Sequence, residues 1–143
     1  MTPVQVSALF FISGQIRPED VTALAEAGFV ALINNRPDGE APDQPGSAEI
    51  EAAAQAAGLD YLHAPMHGAE IALDDVERIH SLTARVTGKV LGFCRSGARS
   101  LLGWALASAA DLPADEIIEL ASRAGHDLSQ FRPLFEMRYA SQG

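Results

Sequence analysis

The chain has 143 residues, 48% of them hydrophobic and 20% charged, which suits one buried core and is short for two. A net charge of −9 excludes binding of nucleic acid or an anionic membrane surface through bulk attraction, so any anion must be held in a local pocket. One cysteine excludes an internal disulfide, the N-terminal residues lack the pattern of a secretory signal, and no apolar run approaches the ~18 residues of a membrane span. The cytoplasm is the compartment expected from these features.

Residues 8–12 form a short apolar run closed by Ser13-Gly14 and read as a strand entering a turn. A helix is expected next. Pro18 suits its first turn, Glu19 and Asp20 stand where the helix dipole favours acids, and Val21, Leu24 and Ala25 share one apolar face before Gly28. Residues 29–33 read as a second strand. Residues 36–46 hold three prolines and two glycines, and a loop of that length in a small domain usually serves function.

Ser47 is expected to cap a helix running to Ala57, with Gly58 ending it and residues 59–63 making a third strand. After a further loop, Asp74 is expected to cap a helix to about Val86, and residues 90–93 read as a fourth strand. Residues 113–124 and 128–139 read as two more helices. Such alternation predicts an α/β domain with a parallel four-stranded sheet flanked by helices, in which ligands bind beyond the carboxyl ends of the strands. One domain is expected over 1–143, with residues 1–6 and 140–143 as flexible tails.

The fourth strand runs into Cys94-Arg95-Ser96-Gly97-Ala98-Arg99-Ser100 and a helix read over 100–109. Cys94 then stands where turn amides and a helix N-terminus converge. Such positive potential can depress a cysteine pKa from about 8.5 into the range of roughly 3.5–7.5. Gly97 lets the loop bend tightly, Arg99 offers a planar fork for two oxygens of an oxyanion, and Ser100 can donate a hydrogen bond to sulfur. A lone cysteine after an apolar strand is otherwise a small buried hydrophobe. The combination of four suitable residues in one strand-to-helix turn is what points to chemistry. Arg95, Ser96, Gly97, Ala98 and Arg99 are the expected anion-binding set, and Asn35 and Arg36, at the pocket end of the second strand, are expected to line the entrance.

The cysteine loop and Trp104, taken with Ser13-Gly14-Gln15, Ala27-Gly28-Phe29, Ile33-Asn34-Asn35-Arg36-Pro37-Asp38-Gly39-Glu40 and Gly58-Leu59-Asp60-Tyr61, resemble a known family. It is the phosphatase-like domain of bacterial beta-lactamase-hydrolase-like proteins, also called domain of unknown function 442. The resemblance covers residues 7–110 and implies a protein-tyrosine-phosphatase-like fold, with Cys94 as nucleophile and Arg99 as the residue that grips the anion. Members occur alone or joined to metallo-hydrolase domains linked to sulfur metabolism.

Two departures from tyrosine phosphatases stand out. Their signature is His-Cys, five residues, then Arg, whereas here Phe93 precedes Cys94 and four residues separate it from Arg99. That spacing resembles the loop of rhodanese sulfurtransferases, whose cysteine carries sulfur as a persulfide. Dual-specificity phosphatases also place an acidic Asp ahead of the helix preceding the cysteine strand, and the equivalent count back from Asp74 lands on His67. Glu70 nearby and Asp38 in the long loop are the other candidate acids.

Two chemistries are therefore open: hydrolysis of phosphate esters through a phosphocysteine at Cys94, and transfer of sulfane sulfur through a Cys94 persulfide. A module that binds an anion without turning it over is the third reading. The expected partner is a small anionic substrate, phosphorylated or persulfidated, with an external thiol as possible acceptor, and no cofactor, nucleic acid or membrane. No metal is expected, because Pro65 and Gly68 put His63 and His67 in a loop without helical spacing.

Overall fold

A computed structural model describes residues 2–141. Its sheet has five strands: β1 (Val4–Gln5), β2 (Phe10–Ser13), β3 (Phe29–Asn34), β4 (Asp60–His63) and β5 (Lys89–Phe93), in the spatial order β1-β2-β5-β3-β4. The four strands expected from sequence run parallel, and β1 adds an antiparallel edge on β2, with Val4 opposite Ile12. The expected N-terminal tail is therefore corrected: Val4 and Gln5 are paired, and Val6 is 5% exposed within the core. Ala140 and Ser141 likewise end a helix, while Met1, Gln142 and Gly143 lie outside the described residues.

Strand periodicity divides the core into two halves. Side chains alternate across the sheet, so on β5 Val90 joins one apolar cluster and Leu91 and Phe93 the other. A central strand covered on both faces reads as a continuous apolar run, which is how β5 reads. Helices α1 (Val21–Glu26) and α2 (Ser47–Ala57) supply Val21, Leu24, Ile50 and Ala54 to one half. Helices α3 (Leu73–Arg85), α4 (Ala98–Ser108), α5 (Ala114–Arg123) and α6 (Arg132–Ser141) supply Val76, Leu101, Ile117 and Phe135, among others, to the other.

Phe93 is fully buried, which is worth roughly 1.5–3 kcal/mol against exposure. The place a histidine holds in tyrosine phosphatases is here spent on packing. Trp104 stacks on Phe10 of β2, with ring centroids 5.9 Å apart, and so fastens α4 to the sheet. That close seat needs Gly92: a Cβ there would stand 2.9 Å from the Phe10 ring and 3.1 Å from Ser100 Cβ.

Local boundaries shift for identifiable reasons. Pro18, Glu19 and Asp20 form a 3-10 turn before α1 instead of its first helical turn. Ser47 is the first residue of α2 and not its cap. Its amide donates to Asp38 Oδ1 at 2.8 Å, and its hydroxyl lies 2.7 Å from the Tyr61 hydroxyl. Asp74 sits within the first turn of α3, which Ala72 precedes as the capping position.

Candidate active site

The parallel strands end in one row. Ser13 of β2 and Asn34 of β3 flank Phe93 of β5, and His63 of β4 stands beside Asn34. Beyond that row the Cys94 amide donates to the Ser13 carbonyl at 3.4 Å, and the Asn35 amide to the Phe93 carbonyl at 2.9 Å. The loops that follow β2, β3 and β5 are thus drawn together where an open parallel sheet binds ligands.

Gly97 makes the turn from β5 into α4. Its φ of +98° lies in the left-handed region, and a Cβ would stand 3.3 Å from the Ser13 carbonyl oxygen. The turn brings the Gly97 amide to 3.1 Å from Cys94 Sγ. Burial pushes the thiol up, but the backbone amides of Ser100, Ser96, Gly97 and Arg99 act against it and hold Cys94 below the ordinary thiol value. Alkylation by iodoacetamide, followed against pH, is expected to show a midpoint below about 8.5. A midpoint at or above that value would mean that the amides do not stabilise the charged sulfur. Since the folded-state pKa is the lower one, the thiolate contributes stability in full above the unfolded-state value, and the contribution fades as pH falls through the folded-state value.

Ser100 is 1% exposed, and its Oγ has no hydrogen-bond partner among the described residues. Its contribution to the resting thiolate comes through its amide. A buried hydroxyl without a partner costs about 1–3 kcal/mol, so the protein bears a penalty at the cysteine loop.

Arg99 is fixed on one side. Its Nη1 and Nη2 donate to the two oxygens of Glu40, each at 2.8 Å, and Nη1 also donates to the Met66 carbonyl at 2.9 Å. A fork held end-on by a carboxylate keeps Nε and the outer N–H of Nη2 for another acceptor. Hydrogen bonding to Glu40 raises Arg99 above its ordinary value against the opposing effect of burial, with the nearby Cys94 charge adding to it. Glu40 Oε1 also accepts from Arg36 Nε at 3.0 Å. The Arg99 hydrogen bonds outweigh burial and, with that of Arg36, lower the Glu40 carboxyl to about 2. Arg36 Nη1 in turn donates to Gln15 Oε1 at 3.1 Å.

A hollow of about 650 Å³ opens beside this network, lined by Gln15, Arg36, Glu40, Ala41, Pro42, Asp43, Arg95 and Arg99. Arg95 is exposed at its rim, Ser96 and Ala98 are exposed on the loop, and Arg36 is 6% exposed beneath it. Asn35 lies apart from the hollow: it is 1% exposed, and its Nδ2 donates to the Ala64 carbonyl at 2.8 Å, which ties down the loop after β4.

The three expected acids lie elsewhere. His67 and Glu70 exchange backbone hydrogen bonds with each other, both at 3.0 Å, and line a separate hollow with Pro65, Leu73, Leu106 and Leu134. Asp38 is committed to the first amide of α2. His63 Nε2 lies 2.9 Å from the Arg36 carbonyl oxygen. Among the described residues no three His, Cys, Asp or Glu side chains are grouped to hold a metal, and no helix is long and apolar enough to cross a membrane. Sequence reasoning missed Gln15, Glu40 and Asp43. The signal was present, since the first two fall in segments that carry the family resemblance and Asp43 in the proline-rich loop.

A mostly parallel sheet with a cysteine loop at its carboxyl edge, leading into a buried helix, is the fold of protein-tyrosine-phosphatase-like domains. Within it the chain belongs to the family of the beta-lactamase hydrolase-like protein, phosphatase-like domain, whose model matches residues 4–111. A beta-lactamase hydrolase-like protein of Xylella fastidiosa is 36% identical over 132 residues, 91% of this chain but 31% of that protein. The chain thus spans about a third of the length of the curated relatives it matches. A crystal structure from Neisseria meningitidis, described as a candidate phosphatase, superposes with a TM-score of 0.75 at 34% identity, covering 94% of this chain and 96% of that one. PTPMT1 in complex with PI(5)P shares the fold, with a TM-score of 0.74 at 12% identity and coverage of 98% and 96%.

Proposed function

We propose that this domain hydrolyses phosphate esters through a phosphocysteine at Cys94. The observation that carries the reading is the pairing of a buried sulfur, whose pKa four backbone amides lower, with a guanidinium whose outer edge is left free by Glu40. In this mechanism the thiolate attacks phosphorus. The loop amides of Ser96, Gly97, Ala98 and Arg99 and the Arg99 fork take up charge on the equatorial oxygens, where preorganised donors act most strongly. The Ser100 hydroxyl, unpartnered at rest, donates to the sulfur as it departs in the second step. Arg95 and Arg36 draw the anion into the hollow. His67 is not carried into the mechanism.

One observation favours a second reading, transfer of sulfane sulfur: only four residues lie between Cys94 and Arg99, which makes a small cradle. The external acceptor thiol would then take the sulfur from a Cys94 persulfide. Paired assays on one preparation separate the two. Incubation with 4-nitrophenyl phosphate, acid quench and peptide mass spectrometry is expected to find phosphate on Cys94, with thiosulfate-to-cyanide transfer at background. Sulfur transfer without phosphate release or adduct would reverse the order of the two readings.

A further inference from the structure

The mechanism above lacks a group that moves the leaving-group proton, and one carboxylate in the hollow that Arg36, Arg95 and Arg99 line is left without a partner among the described residues. We propose that Asp43, on the loop between β3 and α2, is the general acid of phosphocysteine formation and the general base of its hydrolysis. The assignment rests on the phosphatase reading.

Arg36, Arg95 and Arg99 meet in the hollow of about 650 Å³. Of the eight residues that line it, Gln15, Ala41 and Pro42 carry no proton to exchange, and Arg36, Arg95 and Arg99 keep theirs throughout the working range. Two carboxylates remain. Glu40 has both oxygens on guanidinium donors, three hydrogen bonds in all, and its carboxyl is held at about 2. Its oxygens are therefore occupied by Arg36 and Arg99 and are not available to a leaving group. Asp43 is exposed, and its carboxylate takes part in no hydrogen bond or ion pair among the described residues, although three arginines line the same hollow.

Its position is built. The Gln44 amide donates to the Ala41 carbonyl at 3.2 Å, which closes a turn with Pro42 and Asp43 as the central pair. Proline presets φ at the first central position and so fixes the backbone turn from which Asp43 projects. Gln44 then clamps the turn: its Nε2 donates to the Pro37 carbonyl at 2.9 Å, and its Oε1 accepts from the Glu40 amide at 3.0 Å. The residue that fixes Arg99 thereby also fixes the turn bearing Asp43. General acids in dual-specificity phosphatases come from the loop before the helix that precedes the cysteine strand, and the candidate acids of that loop here, His67 and Glu70, line a different hollow.

The proton balance is complete. In the first step the Cys94 thiolate forms an S–P bond, the ester P–O bond breaks, and Asp43 gives its proton to the departing oxygen. In the second, the Asp43 carboxylate takes a proton from a water whose oxygen attacks phosphorus. The S–P bond breaks, inorganic phosphate leaves, and the thiolate returns with Asp43 protonated again.

A general acid matters in proportion to the basicity of what leaves, and a structural residue does not discriminate in this way. The test compares wild type and Asp43→Asn on 4-nitrophenyl phosphate, with a weakly basic leaving group, and phenyl phosphate, with a more basic one, using kcat/KM because it reports the first chemical step. For phenyl phosphate the variant is expected to lose about 10²-fold or more, and for 4-nitrophenyl phosphate less than about fivefold. Equal losses on both esters, or none on either, with an active wild type would overturn the assignment and leave the phosphatase reading standing. A wild type inactive on both esters would remove that reading and this assignment with it.

Discussion

Cys94→Ser is expected to lose roughly 10⁴–10⁶-fold in kcat on any ester that the wild type hydrolyses, the scale seen when a covalent nucleophile is removed. The reason lies in the loop amides. They lower the thiol below its ordinary value, whereas a serine hydroxyl starts so far above that the same donors cannot produce an alkoxide near neutral pH. Fold should be retained, since oxygen replaces sulfur in a site 1% exposed and remains an acceptor facing the Gly97 amide. Circular dichroism and thermal melting check this arm, and turnover checks the other. A folded variant that keeps more than about a hundredth of wild-type kcat would show that the sulfur is not the nucleophile.

The second large effect is expected at Arg99. Arg99→Lys keeps one positive charge but loses the planar fork, so it cannot hold both Glu40 oxygens and also present two parallel donors to an anion. Loss of an oxyanion donor typically costs 10²–10³-fold, and a decrease of about that size in kcat is expected. The Met66 carbonyl also loses its 2.9 Å donor, so a small fall in stability should accompany it. Arg95→Ala, at the exposed rim, should raise KM by only a few fold, as expected for a residue that attracts the substrate more than it meets the reacting atoms. If Arg95→Ala proves the more damaging change, the roles of the two arginines are reversed.

The Arg99 network is insensitive to pH over the range in which such assays run. The Glu40 carboxyl is lowered from 4.5 to about 2, so its contribution to stability is fully present above pH 4.5 and is lost only as pH falls through about 2. Activity changes above pH 4.5 then belong to groups other than Glu40.

Much of this protein was legible in the chain itself. Apolar runs of four to six residues, spaced by amphipathic segments that end at glycine, determine a parallel α/β sheet, because a strand buried on both faces needs helices above and below it. The cysteine loop was equally local: strand, turn at Gly97 and helix lie within one stretch, so the convergence of amides on Cys94 follows from neighbouring residues alone. Tertiary structure decided what depends on distant segments meeting. Arg99 and Glu40 lie 59 residues apart, and their bidentate pair exists only because β3 and β5 are neighbours in the sheet, which carries the loops after both strands to one edge. The same pairing of β3 and β5 sets Asp43 beside Arg99, while the path of the chain after β4 takes His67 to another hollow. Counting along the chain pointed to His67, because sequence distance records order within a loop and not which strand end that loop faces.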